Sequence, residues 1–181
     1  MNPHKYLDLK GSLLEVEEYM QDIAWAESVE PCTSSDVFFL EFVFVVCNSG
    51  MKAQIARQIF NRLKDAMINR TSLWDAFKHP GKLGAIGYVW AIRNKLFTDY
   101  ILSKDKLEFC KSLPWIGNIT KYHLYKNLGG DCVKPDRHLV RIAKLYDADC
   151  FTMCQKLSDI TGDRVGTVDY VIWRAANLGM I

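Results

Sequence analysis

Apolar positions recur along this chain at helical spacing, and its punctuation is that of a helical protein throughout. Ser12-Leu13-Leu14-Glu15 reads as a capping box opening a helix whose buried stripe is Leu13, Val16, Met20 and Ile23. Pro31 ends that region. A second helix is expected from Ser35-Asp36, apolar nearly all round between Phe38 and Val46, as a central buried helix would be. Two short strands are the rival reading, because Val and Phe dominate. Helical neighbours and the lack of a dividing turn signal favour the helix. Asn48-Ser49-Gly50 breaks the chain, and a third helix comes next with Ile55, Ile59 and Leu63 on one face and Lys52, Arg57 and Lys64 outward. Ser72 to Asp75 reads as a cap and short helix, and His79-Pro80-Gly81 as a loop. Ala85, Val89, Ile92 and Leu96 set the stripe of a longer helix, and Ser103 to Lys111 a short one. Two more helices start near Asn118 and Pro135, and the last two cover Phe151 to Ile160 and Val165 to Leu178. The expectation is an all-α fold of about ten helices, with no repeat, low-complexity stretch or linker.

A chain of 181 residues suggests one domain or two intimately packed lobes, and can bury roughly 70% of its unfolded surface without a disulfide or metal staple. Apolar residues at 49% and charged residues at 24% exclude a disordered tail protein. A net charge of +2 is too mild to announce a nucleic-acid binder by composition, so an anionic partner must be met by a local basic patch or by backbone donors. The six cysteines form no Cys-x-x-Cys pair, which argues against a zinc ribbon or a four-cysteine iron–sulfur cluster. The N-terminus lacks a signal-peptide core, so reduced thiols and an intracellular location (cytoplasm, nucleoid or nucleus) are expected. The longest apolar run, Val37 to Cys47, is interrupted by Glu41 and is too short to span a bilayer; no membrane partner is expected.

Chemistry concentrates between Leu113 and Ala143. Leu113-Pro114-Trp115-Ile116-Gly117 reads as a tight hairpin between two helices. Pro114 presets the turn, and Gly117 permits close backbone approach. A helix beginning at Asn118-Ile119-Thr120 would offer free backbone N–H groups as a phosphate seat. Gly129-Gly130 comes after that helix, and Val133-Lys134-Pro135-Asp136 leads into an amphipathic helix carrying His138, Leu139, Arg141 and Ile142.

Leu-Pro-x-Ile-Gly, a helix, a glycine turn and then Asp-x-His-Leu-x-Arg-Ile resembles the helix-hairpin-helix DNA glycosylase superfamily. The match is specific in order and spacing over Leu113–Ala143, and the many-helix layout extends a weaker resemblance over most of the chain. The resemblance implies a two-lobed multi-helix bundle, here a single glycosylase-like domain over residues 1–181. Its hairpin would lie at 113–117 and its catalytic segment at 133–143. It also implies a monomer acting on double-stranded DNA that contains a damaged or modified base. Trp115, Ile116 and Gly117 of the hairpin, with Asn118 and Thr120 at the start of the next helix, would anchor phosphate. His138 and Arg141 would be further contacts. No cofactor is implied beyond a monovalent cation that hairpin carbonyls can hold.

Asp136 would be the carboxylate that promotes base loss. Breaking an N-glycosidic bond develops positive charge on the sugar, and a carboxylate beside the anomeric carbon stabilises it or orients the attacking water. The alternative is a plain N-cap aspartate.

Two departures from the family pattern matter. The hairpin's usual first glycine is Trp115, which dislikes the positive φ of a type II turn. Family members that also nick the strand carry a lysine where this chain has Ile119, and isoleucine forms no Schiff base. A monofunctional enzyme is therefore expected. Lys121 lies about 200° further round the helix; it is either a surface or phosphate lysine, or a tentative lyase nucleophile. Lys134 and Arg137 are candidate phosphate contacts or a solvated face, and His123 a phosphate or structural residue. Glu41, an acid in an apolar helix, either lines a base pocket or is paired in the core. Met51 either wedges into the gap left by an extruded base or belongs to a helix–helix turn. Trp25, Trp74, Trp90 and Trp173 are expected in the core, with stacking on a flipped base the alternative for any one of them. The histidines show no metal spacing. A non-catalytic DNA-binding module and a helical interaction scaffold are the alternatives in kind.

Overall fold

A computed structural model describes residues 1–181. Eleven helices and no strands make up the chain: α1 (Pro3–Leu14), α2 (Glu17–Ser28), α3 (Ser35–Asn48), α4 (Ala53–Ile68), α5 (Leu73–Ala76), α6 (Pro80–Leu102), α7 (Lys106–Ser112), α8 (Thr120–Asn127), α9 (Arg137–Leu145), α10 (Cys150–Thr161) and α11 (Val165–Asn177). The all-α expectation holds, and the apolar run is one helix rather than two strands. No helix is long and apolar enough to cross a membrane.

Several local expectations fail. The first helix begins at Pro3 rather than near Ser12: the Asn2 side chain accepts the His4 N–H at 2.9 Å and Pro3 takes the first helical position. Ser12 therefore lies inside α1, its hydroxyl donating to the Asp8 carbonyl. The helix ends before Val16, which is extended and exposed, so Leu13 and Ile23 are buried on two different helices while Met20 faces solvent. His79-Pro80-Gly81 is not a loop but the start of α6: the His79 side chain accepts the Lys82 N–H at 3.3 Å, and Pro80 again opens the helix. Trp25, Trp74 and Trp90 are exposed rather than core. Trp90 is covered on one face by the Arg93 guanidinium, 3.7 Å from its ring centroid, and packs on Phe39.

The chain divides into two compact units, Met1–Pro31 with Gly129–Ile181, and Cys32–Leu128. In the inserted unit, Cys32–Leu128, α3 is the hub, packed by α4, α6 and α8. Phe38, Phe42, Val43 and Val46 are wholly enclosed, with Leu63, Ile86, Val89 and Leu124 against them. That explains why α3 lacks a polar face: several neighbours each claim part of its surface.

In the terminal unit the hub is α11, contacted by α1, α2, α9 and α10 around Tyr6, Leu139, Ile142, Val168 and Ile172. The unit is assembled from two stretches of sequence, and its seam is specific. Gly129 has φ +93°, and a Cβ there would lie 2.5 Å from the Glu30 carbonyl oxygen and the Pro31 Cα. Arg164 donates to the carbonyls of Val29 at 2.9 Å and Gly129 at 3.2 Å. The Asp131 carboxylate accepts the Val165 and Gly166 N–H groups, capping α11 from outside because Arg164 has no side-chain acceptor of its own.

Gly129→Ala combines a left-handed backbone with a clash against main chain that cannot move aside. It is expected to cost roughly 2–5 kcal/mol of stability. Urea denaturation reads this directly, and a loss below about 1 kcal/mol would show the seam to be looser than this geometry.

Candidate functional site

The segment Leu113–Gly117 connects α7 to α8 in the inserted unit. Its turn closes with the Ile116 N–H donating to the Leu113 carbonyl at 3.2 Å. Pro114 occupies the second position and Trp115, with φ +65°, the third, which are the marks of a type II turn. Trp115 thus adopts the conformation it was expected to resist. The strain, about 1–2 kcal/mol, is offset by where the indole goes. Its Nε1–H donates to the Gly81 carbonyl at 2.9 Å, and its ring meets His79 edge-on at 5.2 Å. Gly81 is what admits it, since a Cβ there would sit 2.7 Å from the indole Cζ2. Trp115 remains 45% exposed.

Of the residues expected to seat phosphate, Ile116 has its side chain in the core. The Gly117 N–H is already taken by the Thr120 hydroxyl at 2.7 Å, so Gly117 is not a free donor. The reason is that α8 begins at Thr120 rather than Asn118, and the threonine folds back to satisfy the turn. Gly117 and Asn118 are exposed, and a Cβ on Gly117 would meet only the Thr120 hydroxyl, 4.0 Å away. Of the first amides of α8, that of Lys121 donates to the Gly117 carbonyl at 3.0 Å and that of Tyr122 to the Ile119 carbonyl at 3.3 Å, so the helix start is largely satisfied from within. The Gly117 and Leu113 carbonyls accept the Lys121 and Ile116 N–H groups, so any cation would use their remaining lone pairs. No cluster of metal-ligating side chains occurs.

Ile119 is exposed. The Lys121 ammonium pairs with Glu108 of α7. That hydrogen bond holds the Lys121 pKa above the usual lysine range and the Glu108 carboxyl below its own.

Lys82, which belongs to no motif in the sequence, is 2% exposed. Its ammonium donates to the Ser49 carbonyl at 2.7 Å and the Cys47 carbonyl at 3.4 Å, at the C-terminus of α3. It lies 5.8 Å from the Phe77 ring centroid and 6.0 Å from that of Trp115. Burial lowers its pKa, while the carbonyl end of α3 is the favourable place for a cation. Burial also pushes the Cys47 thiol up to about 11, against the pull of Lys82. The one signal for Lys82 in the sequence is that it shares the buried stripe of Ile86 and Val89, four and seven residues on.

Met51 packs against the inserted unit's core just after the α3–α4 turn, so it belongs to that turn. The Glu41 carboxylate accepts the Asn127 amide at 2.8 Å, and burial raises its pKa against that bond. His123 meets Phe44 edge-on at 5.8 Å. The hairpin residues therefore cluster with Lys82 and His79, whereas Glu41 is engaged by the last residue of α8.

In the terminal unit, Asp136 is the N-cap of α9. Its Oδ1 accepts the His138 N–H at 2.9 Å and the Leu139 N–H at 3.1 Å. Oδ2 makes no hydrogen bond. The Asp136 N–H donates to the Lys134 carbonyl at 2.7 Å. His138 accepts the Arg137 Nε–H at 3.4 Å, and Arg141 donates to the Ile181 carbonyl at 3.2 Å. Arg137 and Arg141 are exposed and His138 is half-buried, on the first two turns of α9.

Comparison with protein-family models, curated proteins and solved structures finds no match to this chain. What the site does must therefore be argued from its own residues.

Gly81→Ala should displace the indole and cost about 1–2 kcal/mol. Trp115→Ala in that background should then cost at least about 1 kcal/mol less than it does alone. A double-mutant cycle by chemical denaturation tests the pair, and strict additivity would refute the coupling.

Proposed function

We propose that this protein is a DNA glycosylase of the helix-hairpin-helix kind, extruding a damaged or modified base from duplex DNA and hydrolysing its glycosidic bond. The observation that carries the reading is the proline turn with a positive φ at Trp115, joining two helices twenty residues before a carboxylate at a helix start. In this reading the exposed turn at Gly117 and Asn118 lies against backbone phosphate. The partly exposed Trp115, and His138 and Arg141 on α9, are further contacts.

The arrangement of Asp136 suits the chemistry. Two amides hold Oδ1, which fixes the carboxylate plane and leaves Oδ2 to face a developing oxocarbenium ion or its attacking water. A carboxylate held this way needs little reorganisation as charge develops. The reading needs no cofactor; a monovalent cation on the hairpin carbonyls would stiffen the turn without entering the reaction.

A second reading has its own observation: capping alone accounts for Asp136. A DNA-binding module without chemistry would keep the same contacts. Asp136→Asn separates the two, because asparagine caps a helix about as well as aspartate. The variant is expected to stay folded and bind DNA, and to lose base release by about 10²-fold or more. Release is measured on duplexes carrying a panel of lesions and modified bases, with alkaline cleavage of the abasic sites formed. Turnover near that of the unaltered protein would remove Asp136 from the reaction.

The enzyme is expected to be monofunctional. Position 119 holds isoleucine, and Lys121 is kept protonated by Glu108, the wrong state for a nucleophilic amine. Borohydride treatment during turnover should therefore trap no protein–DNA adduct. Strong trapping that disappears in Lys121→Gln would make Lys121 the nucleophile.

A further inference from the structure

Asp169 lies on α11 and is 4% exposed, a carboxylate buried on the same helix as Thr167, Val168, Val171 and Ile172. Ionisable side chains are rarely placed so deep unless they hold something. Its Oδ1 accepts the backbone N–H of Lys134 at 3.3 Å.

Lys134 is two residues from Asp136, and the intervening backbone has little freedom. A residue before proline is confined to extended conformations, and Pro135 has its φ locked by its ring. The Asp136 N–H turns back onto the Lys134 carbonyl at 2.7 Å, and Asp136 itself is extended, with φ −81° and ψ 173°. On the other side, Val133 is buried in the core of the terminal unit. The peptide of Lys134 thus enters a stiff step to Asp136, and its N–H is accepted by Asp169.

We propose that Asp169 is the positioning residue for the Asp136 carboxylate, acting through the Lys134 amide. The inference rests on the glycosylase reading. Asp169 touches no substrate; it fixes the approach of α9's cap so that Oδ2 meets the sugar at one distance. A displacement of the order of 1 Å at a reacting group costs about 10²-fold in rate.

The test uses the full chain and single-turnover base release on the lesion panel, with DNA affinity measured alongside. Asp169→Ala is expected to slow release about 10- to 100-fold while affinity changes by less than about threefold. Asp169→Asn keeps an acceptor at Oδ1 and should restore the rate to within about threefold of the unaltered protein. A purely structural role would not give a rate loss without an affinity loss, nor rescue by asparagine. A folded Asp169→Ala protein releasing base at the normal rate overturns the inference, as does Asp169→Asn being as slow as Asp169→Ala.

If Asp169→Ala does not fold, hydrogen exchange in the unaltered protein decides: the Lys134 amide should be strongly protected, and rapid exchange there overturns the inference. Failure of the glycosylase reading looks different. The unaltered protein then releases no base from any duplex, and a protected Lys134 amide leaves Asp169 a structural acceptor with no part in a reaction.

Discussion

The terminal unit depends on a backbone position with no room for a side chain. A chain that leaves at Pro31 and resumes at Gly129 must bring two distant stretches into one core. Where they meet, Gly129 carries a left-handed φ and lies against the main chain of Glu30 and Pro31. The carbonyls brought together there are gathered by the Arg164 guanidinium, whose planar fork can serve Val29 and Gly129 at once. Asp131, two residues later, supplies the cap that α11 lacks. The hub helix of the unit is thus started by the same short stretch that closes its seam.

The inserted unit solves a different problem. Its turn before α8 uses a tryptophan where the backbone favours glycine, and the indole itself compensates by reaching the first turn of α6. Gly81 is the complementary vacancy. Lys82, the next residue, carries the stabilisation onward to the end of α3, where two carbonyls receive its ammonium. Helix start, helix end and turn are therefore one polar and aromatic cluster, and a substitution at any of them is felt by the others.

Capping recurs as the device that fixes polar side chains. Asp136, Thr120 and His79 all satisfy backbone N–H groups at or before helix starts. Each is held in a single orientation by bonds the fold requires anyway. For Asp136 this leaves one oxygen committed and the other without a hydrogen bond, as the proposed chemistry would require. Lys121 illustrates the opposite outcome: its ammonium is committed to Glu108, which raises its pKa.

The helices themselves were legible from spacing, because burying one stripe of a helix imposes a period that no other element shares. Hence α3, α4, α10 and α11 lie close to where the apolar pattern predicts them, and the Ser72 cap on α5 is where its motif stands. Leu113 to Gly117 and Asp136 could also be singled out, since proline, glycine and an acidic cap act through local geometry. Local signals nonetheless misled at Ser12, where Asn2 and Pro3 offered a better start, and at His79-Pro80-Gly81, where histidine acts as a cap. What only the tertiary structure decided is partnership: that Trp115 tolerates its φ because Gly81 receives it, that Thr120 occupies the Gly117 amide, that Lys82 is buried, and that Asp169 holds Lys134. Each joins residues between three and thirty-five positions apart in sequence. Spacing reports which face of a helix avoids water, but which group on a neighbouring segment waits there depends on how the segments pack.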